Sequence, residues 1–329
     1  MSTALGSLRR LALAPSLEEV AFRARGFPGA TSPDAARLEA VPQAVVCGFE
    51  WGIDSRDGWE VARRLRFVDP GLRGFAHEGA VMAFTIRDVA GRGTRVRDLL
   101  EGDGAEHLFV AYIGIGFAMA RLPRRLWRKV MPDLPGSPYH PAVSWLAVDG
   151  YGFDLAYFHT RRWVDEQRVP EPYPWQGRAD YFPRAVDQGI GRALWFIHGA
   201  RGPEVAAAVR RFDPARHADL WSGVGLAATF AGGGTPDELS ALAGAAGGHR
   251  AELALGAVFA AKARVHAGFV PEHSTIASEM FTGGSPEAAA DLVDATAPGR
   301  EESGPVPPYE VWRSAIRAHF TATRRFVRS

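Results

Sequence analysis

Cysteine is almost absent from this chain of 329 residues, and so is net charge. The only cysteine, Cys47, excludes an internal disulfide and a thiolate zinc site, and its apolar surroundings (AVVCGFEW) predict a buried position. The formal net charge of +1 provides no general attraction to nucleic acid, and only the RRFVR segment at residues 324–328 is locally basic. We therefore expect no nucleic-acid partner.

Long hydrophobic runs are missing as well. The longest apolar stretch, LFVAYIGIGFAMA, extends from Leu108 to Ala120, whereas a helix that spans a bilayer needs about 20 apolar residues. The N-terminal MSTALGSLRRLALAPS contains two arginines, but its apolar run is too short and too interrupted for a signal peptide. We therefore expect a cytoplasmic protein with no membrane span.

The common catalytic and cofactor motifs are also absent. The sequence contains no Walker loop, no HExxH, no GxSxG and no aspartate-rich metal motif. Its ten histidines do not stand at metal-ligand spacings, so we expect no bound metal or other cofactor. A dinuclear metal site assembled from Glu78, Asp154, Asp187 and histidines of different segments is the open alternative.

What the chain does contain is a recurring Gly-x-Gly step, and each copy begins a short apolar stretch. Clear copies start at Gly114 (GIGFAMA), Gly150 (GYGFDLAYF), Gly189 (GIGRALWF) and Gly223 (GVGLAATF), with looser relatives at Gly48, Gly74 and Leu255. One glycine per copy recurs at a mean step of roughly 35 residues, at Gly48, Gly79, Gly116, Gly152, Gly191, Gly225 and Gly256. This period predicts an all-α fold of tandem helical hairpins stacked into a solenoid or a closed toroid.

The same pattern predicts one helical-repeat domain over residues 1–329. We expect an N-terminal cap (1–30), repeats (31–297) with proline-rich insertions at 131–141 and 169–183, and a C-terminal capping helix (309–326). Insertions on one face of a repeat protein often line its binding surface. Capping boxes at Ser16–Glu19 and Thr235–Glu238 mark two helix starts.

The glycines permit a second interpretation. Gly223-x-Gly225-x-x-Ala228 matches the dinucleotide-binding fingerprint, and the run before Gly114 resembles a strand. However, one cofactor needs one copy, and ARHADLWS before Gly223 does not read as a buried strand. Close packing of helices explains all copies together, so we favour it over nicotinamide or flavin binding.

Charged residues inside the apolar segments are the best guide to a site. A lone charge in such a run is costly to bury unless it is paired or faces a wet cavity. One interpretation is a set of salt bridges between repeats, and the other is a shared cavity in which a buried carboxyl acts as an acid. For the cavity we predict catalytic residues, with Asp187 and Asp154 as acid or base, supported by Glu78, His77 and Arg192. The predicted substrate-binding residues are Tyr112, Tyr157, Trp195, Trp221, Arg121 and Asp219.

Several of these segments resemble the UnbL family of enediyne biosynthesis proteins, a domain of unknown function. The phrases that carry the resemblance are RGFAHEGAVMAF, YIGIGFAMARLP, DGYGFDLAYF, DQGIGRALWF, DLWSGVGLA and GAVFAAKAR, and it extends from about Phe22 to the helix with Tyr309, Trp312 and Arg313. The resemblance implies a role in enediyne antibiotic biosynthesis beside a polyketide synthase that produces a conjugated polyene. Asp154 and Leu155 stand where the family pattern leads us to expect a His-Gln-like pair.

Three hypotheses follow. The first is an enzyme of this secondary metabolism that acts on a polyene or polyyne intermediate during core formation, by acid/base chemistry in an aromatic-lined cavity. The second is a non-catalytic protein that holds the polyene or docks the polyketide synthase. The third is an acid catalyst of the terpene-cyclase kind, which rests on a single acid among aromatic side chains.

Overall fold

The computed structural model describes residues 15–91, 93–298 and 304–326, and these ranges form helices and turns without a β-strand. The prediction of an all-α fold is therefore confirmed for the described residues. The α-helices are α1 (Leu17–Val20), α2 (Phe22–Arg25), α3 (Ala35–Asp54), α4 (Gly58–Leu65), α5 (Pro70–Ala90), α6 (Arg95–Leu100), α7 (Leu108–Arg121), α8 (Trp145–Phe158), α9 (Phe182–Ile197), α10 (Gly202–Arg211), α11 (His217–Ala231), α12 (Pro236–Ala245), α13 (Arg250–His266), α14 (Glu272–Thr282), α15 (Pro286–Ala295) and α16 (Pro308–Phe326).

The chain divides into two compact units. Of the described residues, the first contains those up to residue 26 together with 36–151, and the second contains residues 27–35 together with those from 152 onward. Within the described residues, no helix is both long and apolar enough to cross a membrane.

In the second unit, the helices alternate between two rows. Helices α9, α11, α13 and α15 form the first row and begin at residues 182, 217, 250 and 286, a step of roughly 35 residues. Each of them packs against the next one, and α10, α12 and α14 of the second row pack against one another in the same order. This order agrees with the sequence period, while the solenoid or closed toroid stays a prediction.

The Gly-x-Gly steps lie inside these helices and bring neighbouring main chains together. Residues i and i+2 of a helix lie about 200° apart, so the two glycines face opposite sides. In the second unit, a Cβ on Gly223 would overlap the carbonyl oxygen of Gln188 in α9, and one on Gly225 would overlap that of Leu253 in α13. Each pair therefore lets a helix approach both the preceding and the following long helix.

The first unit uses the same arrangement. Gly114 lies against the main chain of Glu78 in α5, and Gly116 lies against that of Ala147 in α8. The segments before Gly114 and Gly223 are helical, so neither has the strand that a dinucleotide-binding fingerprint requires. The interpretation of these glycines as packing residues agrees with this geometry.

The predicted helix starts are met with one difference. At Ser16 the capping box is complete, because Ser16 Oγ accepts from the Glu19 amide (3.1 Å) and Glu19 Oε2 accepts from the Ser16 amide (2.7 Å). At Thr235 only half of the box forms: the Glu238 carboxylate instead accepts from the amide of Gly202 (2.6 Å), which ties α12 to the start of α10.

Cys47 is a second difference, because it is partly exposed rather than buried. It lies about 100° around α3 from the buried Val46 and so falls beside the buried stripe. Some sequence predictions concern residues outside the described ranges. These are residues 1–14 of the N-terminal cap, residues 299–303 of the linker before α16, and the last three residues of the basic C-terminus.

Candidate functional site

Asp219, a predicted substrate-binding residue, lies in a buried polar network of the second unit. It is on the first turn of α11 and its side chain is 4% exposed. Its Oδ2 accepts from Arg184 Nε (2.8 Å), and its Oδ1 accepts from Gln188 Nε2 (2.9 Å) and Arg313 Nη2 (3.1 Å). Both carboxylate oxygens of Asp219 are thus bonded to protein donors.

Glu310 is the second acid of this network and belongs to α16. Its Oε2 accepts from the Tyr181 hydroxyl (2.7 Å) and Arg313 Nε (3.1 Å), and its Oε1 accepts from Arg184 (3.1 Å) and Arg317 (2.7 Å). Burial raises the pKa of Glu310, but the guanidinium groups of Arg313, Arg184 and Arg317 outweigh burial and lower it to about 2. The network therefore holds α16 against α9 and α11 through ion pairs in which every carboxylate oxygen of Asp219 and Glu310 accepts hydrogen bonds.

Asp187, the first predicted acid, forms a separate ion pair. Its two oxygens accept from Arg216 Nη2 (2.6 Å) and Nε (2.9 Å), and Arg216 Nη1 donates to the Gln167 carbonyl (2.9 Å). Burial raises the pKa of Asp187 to about 6, against the opposing effect of Arg216. Such a carboxyl titrates near neutral pH, but the bidentate pair leaves neither oxygen directed at a ligand.

A group of five aromatic side chains, here called the aromatic cluster, also lies in the second unit. Its members come from the segment before α3, from the end of α8 and from α9: Phe27, Phe153, Tyr157, Phe158 and Phe196. Phe153 and Phe158 are half-buried, whereas the other three rings are buried.

The rings of the aromatic cluster form a continuous chain of contacts. Phe153 stacks on Tyr157 with 5.5 Å between centroids and meets Phe196 edge-on at 5.4 Å. Tyr157 in turn meets Phe27 at 4.9 Å and Phe158 at 5.2 Å. These separations lie in the range of favourable aromatic pairs.

Arg192 adds a cation to this cluster. It lies on α9, is 6% exposed, and its guanidinium carbon is 5.1 Å from the centroid of the Phe153 ring. The structure therefore brings together two predicted site residues, Tyr157 and Arg192, through a residue that sequence analysis did not select, Phe153. The result is an apolar group of aromatic rings with the Arg192 guanidinium over one face of the Phe153 ring.

In the first unit, the predicted residue His77 pairs with another histidine. The His77 and His107 rings are tilted against each other with centroids 3.9 Å apart, and both are buried. The Arg73 carbonyl accepts from His77 Nδ1 (3.0 Å), so in the neutral ring Nε2 carries the lone pair. Burial lowers the pKa of His77 to about 4, which keeps the ring neutral at pH 7.

Tyr112, on α7 of the first unit, is fully buried. Its hydroxyl lies 2.7 Å from His140 Nδ1, and burial raises its pKa above the ordinary value for tyrosine. Tyr112 is thus a neutral hydrogen-bonding group at pH 7.

The remaining predicted residues are divided between core and surface. Glu78 and Asp154 are buried, at 2% and 3% exposure. Trp195 is completely buried, and its Nε1 donates to the Gly232 carbonyl (2.8 Å). Trp221 is buried in α11, whereas Arg121 ends α7 in an exposed position. The assignment of these residues to one substrate cavity stays a prediction.

Sequence analysis missed the partners that complete these groups. Arg216 lies in the turn before α11, where no periodic pattern singles it out. His107 precedes α7 and carries no motif of its own. Glu310 and Arg313, three residues apart on one face of α16, could have been noticed, since a strongly amphipathic helix with an inward acid–arginine pair needs a partner.

The metal-ligating side chains of the described part of the chain do not form clusters. There, no group of three or more histidine, cysteine, aspartate or glutamate side chains is arranged to hold a metal ion. The alternative of a dinuclear site from Glu78, Asp154 and Asp187 thus has no support within those residues.

One comparison with known proteins gives a match. A family model described as "Protein of unknown function (DUF1702)" matches residues 4–320, a span that includes most of both compact units. No curated protein and no solved structure shows a significant match to the chain.

Proposed function

The chain belongs to the family of proteins of unknown function DUF1702, and we propose that it binds a conjugated polyene intermediate of enediyne polyketide biosynthesis. It holds this unstable, apolar molecule for the enzymes that complete the enediyne core. The observation that carries the proposal is the aromatic cluster with Arg192 over Phe153. The resemblance to the UnbL family supplies the identity of the ligand.

The chemistry of the aromatic cluster suits a flat conjugated ligand. Aromatic rings offer large apolar area with little conformational freedom to lose, and they contact another π-system face-on or edge-on. The half-buried Phe153 and Phe158 can contact a ligand without unfolding of the core, while the buried Tyr157 and Phe196 keep their rings in position. A guanidinium over a ring adds affinity for electron-rich π-systems.

Binding fits the acids better than acid catalysis does. Asp187 uses both oxygens on Arg216, and Asp219 uses both on arginine and glutamine donors. A general acid must place its proton within hydrogen-bond reach of the substrate. Both acids would first have to leave a buried ion pair, which typically costs about 3–5 kcal/mol.

The direct test is a titration of the purified protein with the polyene released by an enediyne polyketide synthase. We expect a shifted polyene absorbance and an unchanged polyene mass. Phe153→Leu should weaken the affinity about tenfold, since it removes the aromatic pairs with Tyr157 and Phe196 and part of the contact area. Phe269→Leu, which changes an exposed ring of the second unit outside the cluster, is the matched control and should bind like wild type.

Two results would count against the proposal. An unchanged absorbance spectrum at saturating polyene would show that the polyene is not the ligand. Equal affinities of Phe153→Leu and wild type would show that the aromatic cluster is not the binding site.

A second candidate function is the enzyme that acts on the same polyene, and His77 favours it. This imidazole is buried and neutral, its orientation is fixed by the Arg73 carbonyl, and its Nε2 carries a lone pair. A neutral imidazole of fixed orientation can accept a proton, although a pKa of about 4 makes His77 a weaker base than an ordinary histidine. Glu78, the next residue along α5, is buried as well.

Mass spectrometry separates the enzyme from the binding protein. A new polyene-derived mass with wild type, lost in His77→Gln, would favour the enzyme and contradict the holding role. Asp187→Asn tests the predicted acid: if product formation is unchanged, Asp187 is no catalytic group. Because this variant leaves Arg216 without its carboxylate, its free energy of unfolding should be measured in parallel.

A further inference from the structure

Helix α4 of the first unit and the turn that follows it carry two large aromatic side chains that face outward. Val61, Ala62 and Leu65 form its inner side and are buried. Trp59 and Phe67 stand on the other side, with 64% and 84% of their surface exposed. They are the most exposed large aromatic side chains of the described residues. Helix α4 therefore has a second apolar surface in addition to the one that it buries.

Arginines accompany these two aromatic residues. Arg63 and Arg66 follow Trp59 at four and seven residues, so all three lie on one side of the helix. Phe67 follows Arg66 in a turn, and the Phe67 amide donates to the Arg64 carbonyl (3.1 Å). We call the surface formed by Trp59, Arg63, Arg66 and Phe67 the α4 face.

Charge on the α4 face is positive at its centre and mixed at its edge. The Arg63 guanidinium carbon is 5.5 Å from the Trp59 ring, and no ion pair to a described residue engages Arg63. Arg66 contacts Asp103 at 3.3 Å, and both side chains stay about half exposed. Glu60 lies beside the face, where it pairs with Arg64 (2.7 Å).

This composition is that of an interaction surface. Tryptophan and arginine are the residue types most enriched among side chains that dominate protein–protein binding energy. Exposed large apolar groups in one place usually mark a surface that another molecule covers.

We propose that the α4 face docks a partner protein whose surface offers an apolar pocket rimmed by carboxylates. The inference rests on the proposed function, because a protein that holds a reactive intermediate must meet the enzyme that releases it. The carboxylates complement Arg63 and Arg66, and the pocket accepts Trp59 and Phe67. The partner probe is therefore the polyketide synthase that releases the polyene.

The acids at the edge favour a protein over a lipid bilayer. Asp57 is exposed next to Trp59, and Asp103 is bound to Arg66, so the positive charge of the face is partly neutralised. An anionic membrane needs a basic surface, since each nearby Lys or Arg contributes only about 1 kcal/mol. A partner protein can instead place carboxylates opposite the arginines and donors opposite the acids.

The contact is expected to be transient. One face of an eight-residue helix covers much less than the roughly 800 Å² per partner of a standard stable interface. We expect a dissociation constant in the micromolar range that rises with salt, because Arg63 and Arg66 lie in water before binding.

Biolayer interferometry with immobilised, purified polyketide synthase tests the inference on the full-length chain. Trp59→Ala/Phe67→Ala and Arg63→Glu/Arg66→Glu should each weaken binding at least tenfold. Phe269→Ala and Arg161→Glu change an exposed ring and an exposed arginine of the second unit, and they should bind like wild type. All substituted side chains are exposed, and circular dichroism should confirm that every variant is folded.

Three outcomes would overturn the inference. These are no binding of wild type to the synthase, equal binding of the α4-face variants, and sedimentation of wild type but not Trp59→Ala/Phe67→Ala with phosphatidylglycerol vesicles. The polyene titration on the same variants separates the two proposals. If the α4-face variants lose the synthase but still shift the polyene spectrum, both proposals stand. If wild type binds the synthase but not the polyene, the proposed polyene ligand is contradicted and the docking surface stands.

Discussion

At the scale of single residues, glycine decides how closely the long helices approach. In the second unit, Gly225 lies against the Leu253 carbonyl, while Gly223, two residues earlier, lies against that of Gln188. Any side chain at these positions would force two packed main chains apart. Glycine is otherwise unfavourable inside a helix by roughly 1 kcal/mol relative to alanine, so its recurrence at this spacing indicates a packing requirement.

Replacement of Gly225 by alanine should therefore destabilise the protein despite the better helix former. We expect a loss of about 2 kcal/mol in the free energy of unfolding, as for other overpacked cores. Gly244→Ala is the matched control, because Gly244 is also helical but has no neighbouring atom within 4 Å of the added Cβ. That variant should gain up to about 1 kcal/mol. Urea denaturation of both variants measures the difference, and equal stabilities would contradict the packing role.

At the scale of one element, α16 shows how a terminal helix is held. Trp312 is completely buried, its Nε1 donates to the Val293 carbonyl in α15 (2.9 Å), and its ring meets Phe259 of α13 at 5.3 Å. Glu310 and Arg313, on the same helix, bond to α9 and α11. An apolar anchor and a buried ionic network therefore attach α16 to four helices of the second unit.

The ionic network makes this attachment sensitive to acid. The pKa of Glu310 is lowered from 4.5 to about 2, so its contribution to stability is present above pH 4.5 and is lost as the pH falls towards 2. The loss is about 3 kcal/mol by linkage. The hydrogen-exchange protection factors of the α16 amides, which correct for the intrinsic pH dependence of exchange, should therefore fall across this window.

Glu310→Gln should remove most of this pH dependence and should speed α16 exchange already at pH 7, because Arg313 and Arg317 lose a carboxylate. Glu279→Gln, an exposed glutamate on α14, serves as the control and should behave like wild type. An unchanged exchange rate in Glu310→Gln at pH 7 would show that the apolar anchor alone holds the helix.

At the scale of the whole molecule, each unit contains a histidine that resists protonation: His77 is buried and His198 is half-buried. Burial lowers the pKa of His77 in the first unit and of His198 in the second unit from 6.5 to about 4. Nε2 of His198 has no hydrogen-bond partner within the described residues. Protonation of either ring in the folded state is unfavourable, whereas the unfolded chain binds these protons freely.

The free energy of unfolding should therefore decrease as the pH falls from 6.5 to 4. Both contributions are complete above pH 6.5 and amount to about 3 kcal/mol each. Asp187 opposes them, since its raised pKa contributes stability at low pH that is lost as the pH rises through about 6.

Comparison of variants isolates the histidines. His77→Phe and His198→Phe should each flatten the stability curve between pH 6.5 and 4, measured by urea denaturation at fixed ionic strength. His159→Phe, at an exposed position, should leave the slope as in wild type. A slope equal to that of wild type in both His77→Phe and His198→Phe would assign the acid sensitivity to other groups.

The sequence by itself determined the helical class, the approximate 35-residue step, the capping serine at Ser16 and the packing role of the paired glycines. The helical class and the capping serine are local properties, because they depend on residues within a few turns of one another. The 35-residue step and the glycine pairs can be seen because the same short pattern repeats along the chain. Polar and charged side chains within apolar runs marked four candidates for buried groups, and all four are buried: Asp187, Asp219, Arg192 and His77.

Only the tertiary structure decided what these buried groups meet. Asp187 finds Arg216 at a separation of 29 residues, and Asp219 finds Arg313 at a separation of 94. The aromatic cluster likewise joins Phe27 to rings that lie more than a hundred positions further along the chain. Such pairings depend on how each helix is rotated about its axis, and sequence periodicity identifies a buried face without identifying its partner. The physical difference between an available acid and a bonded one therefore appears only in the packed protein.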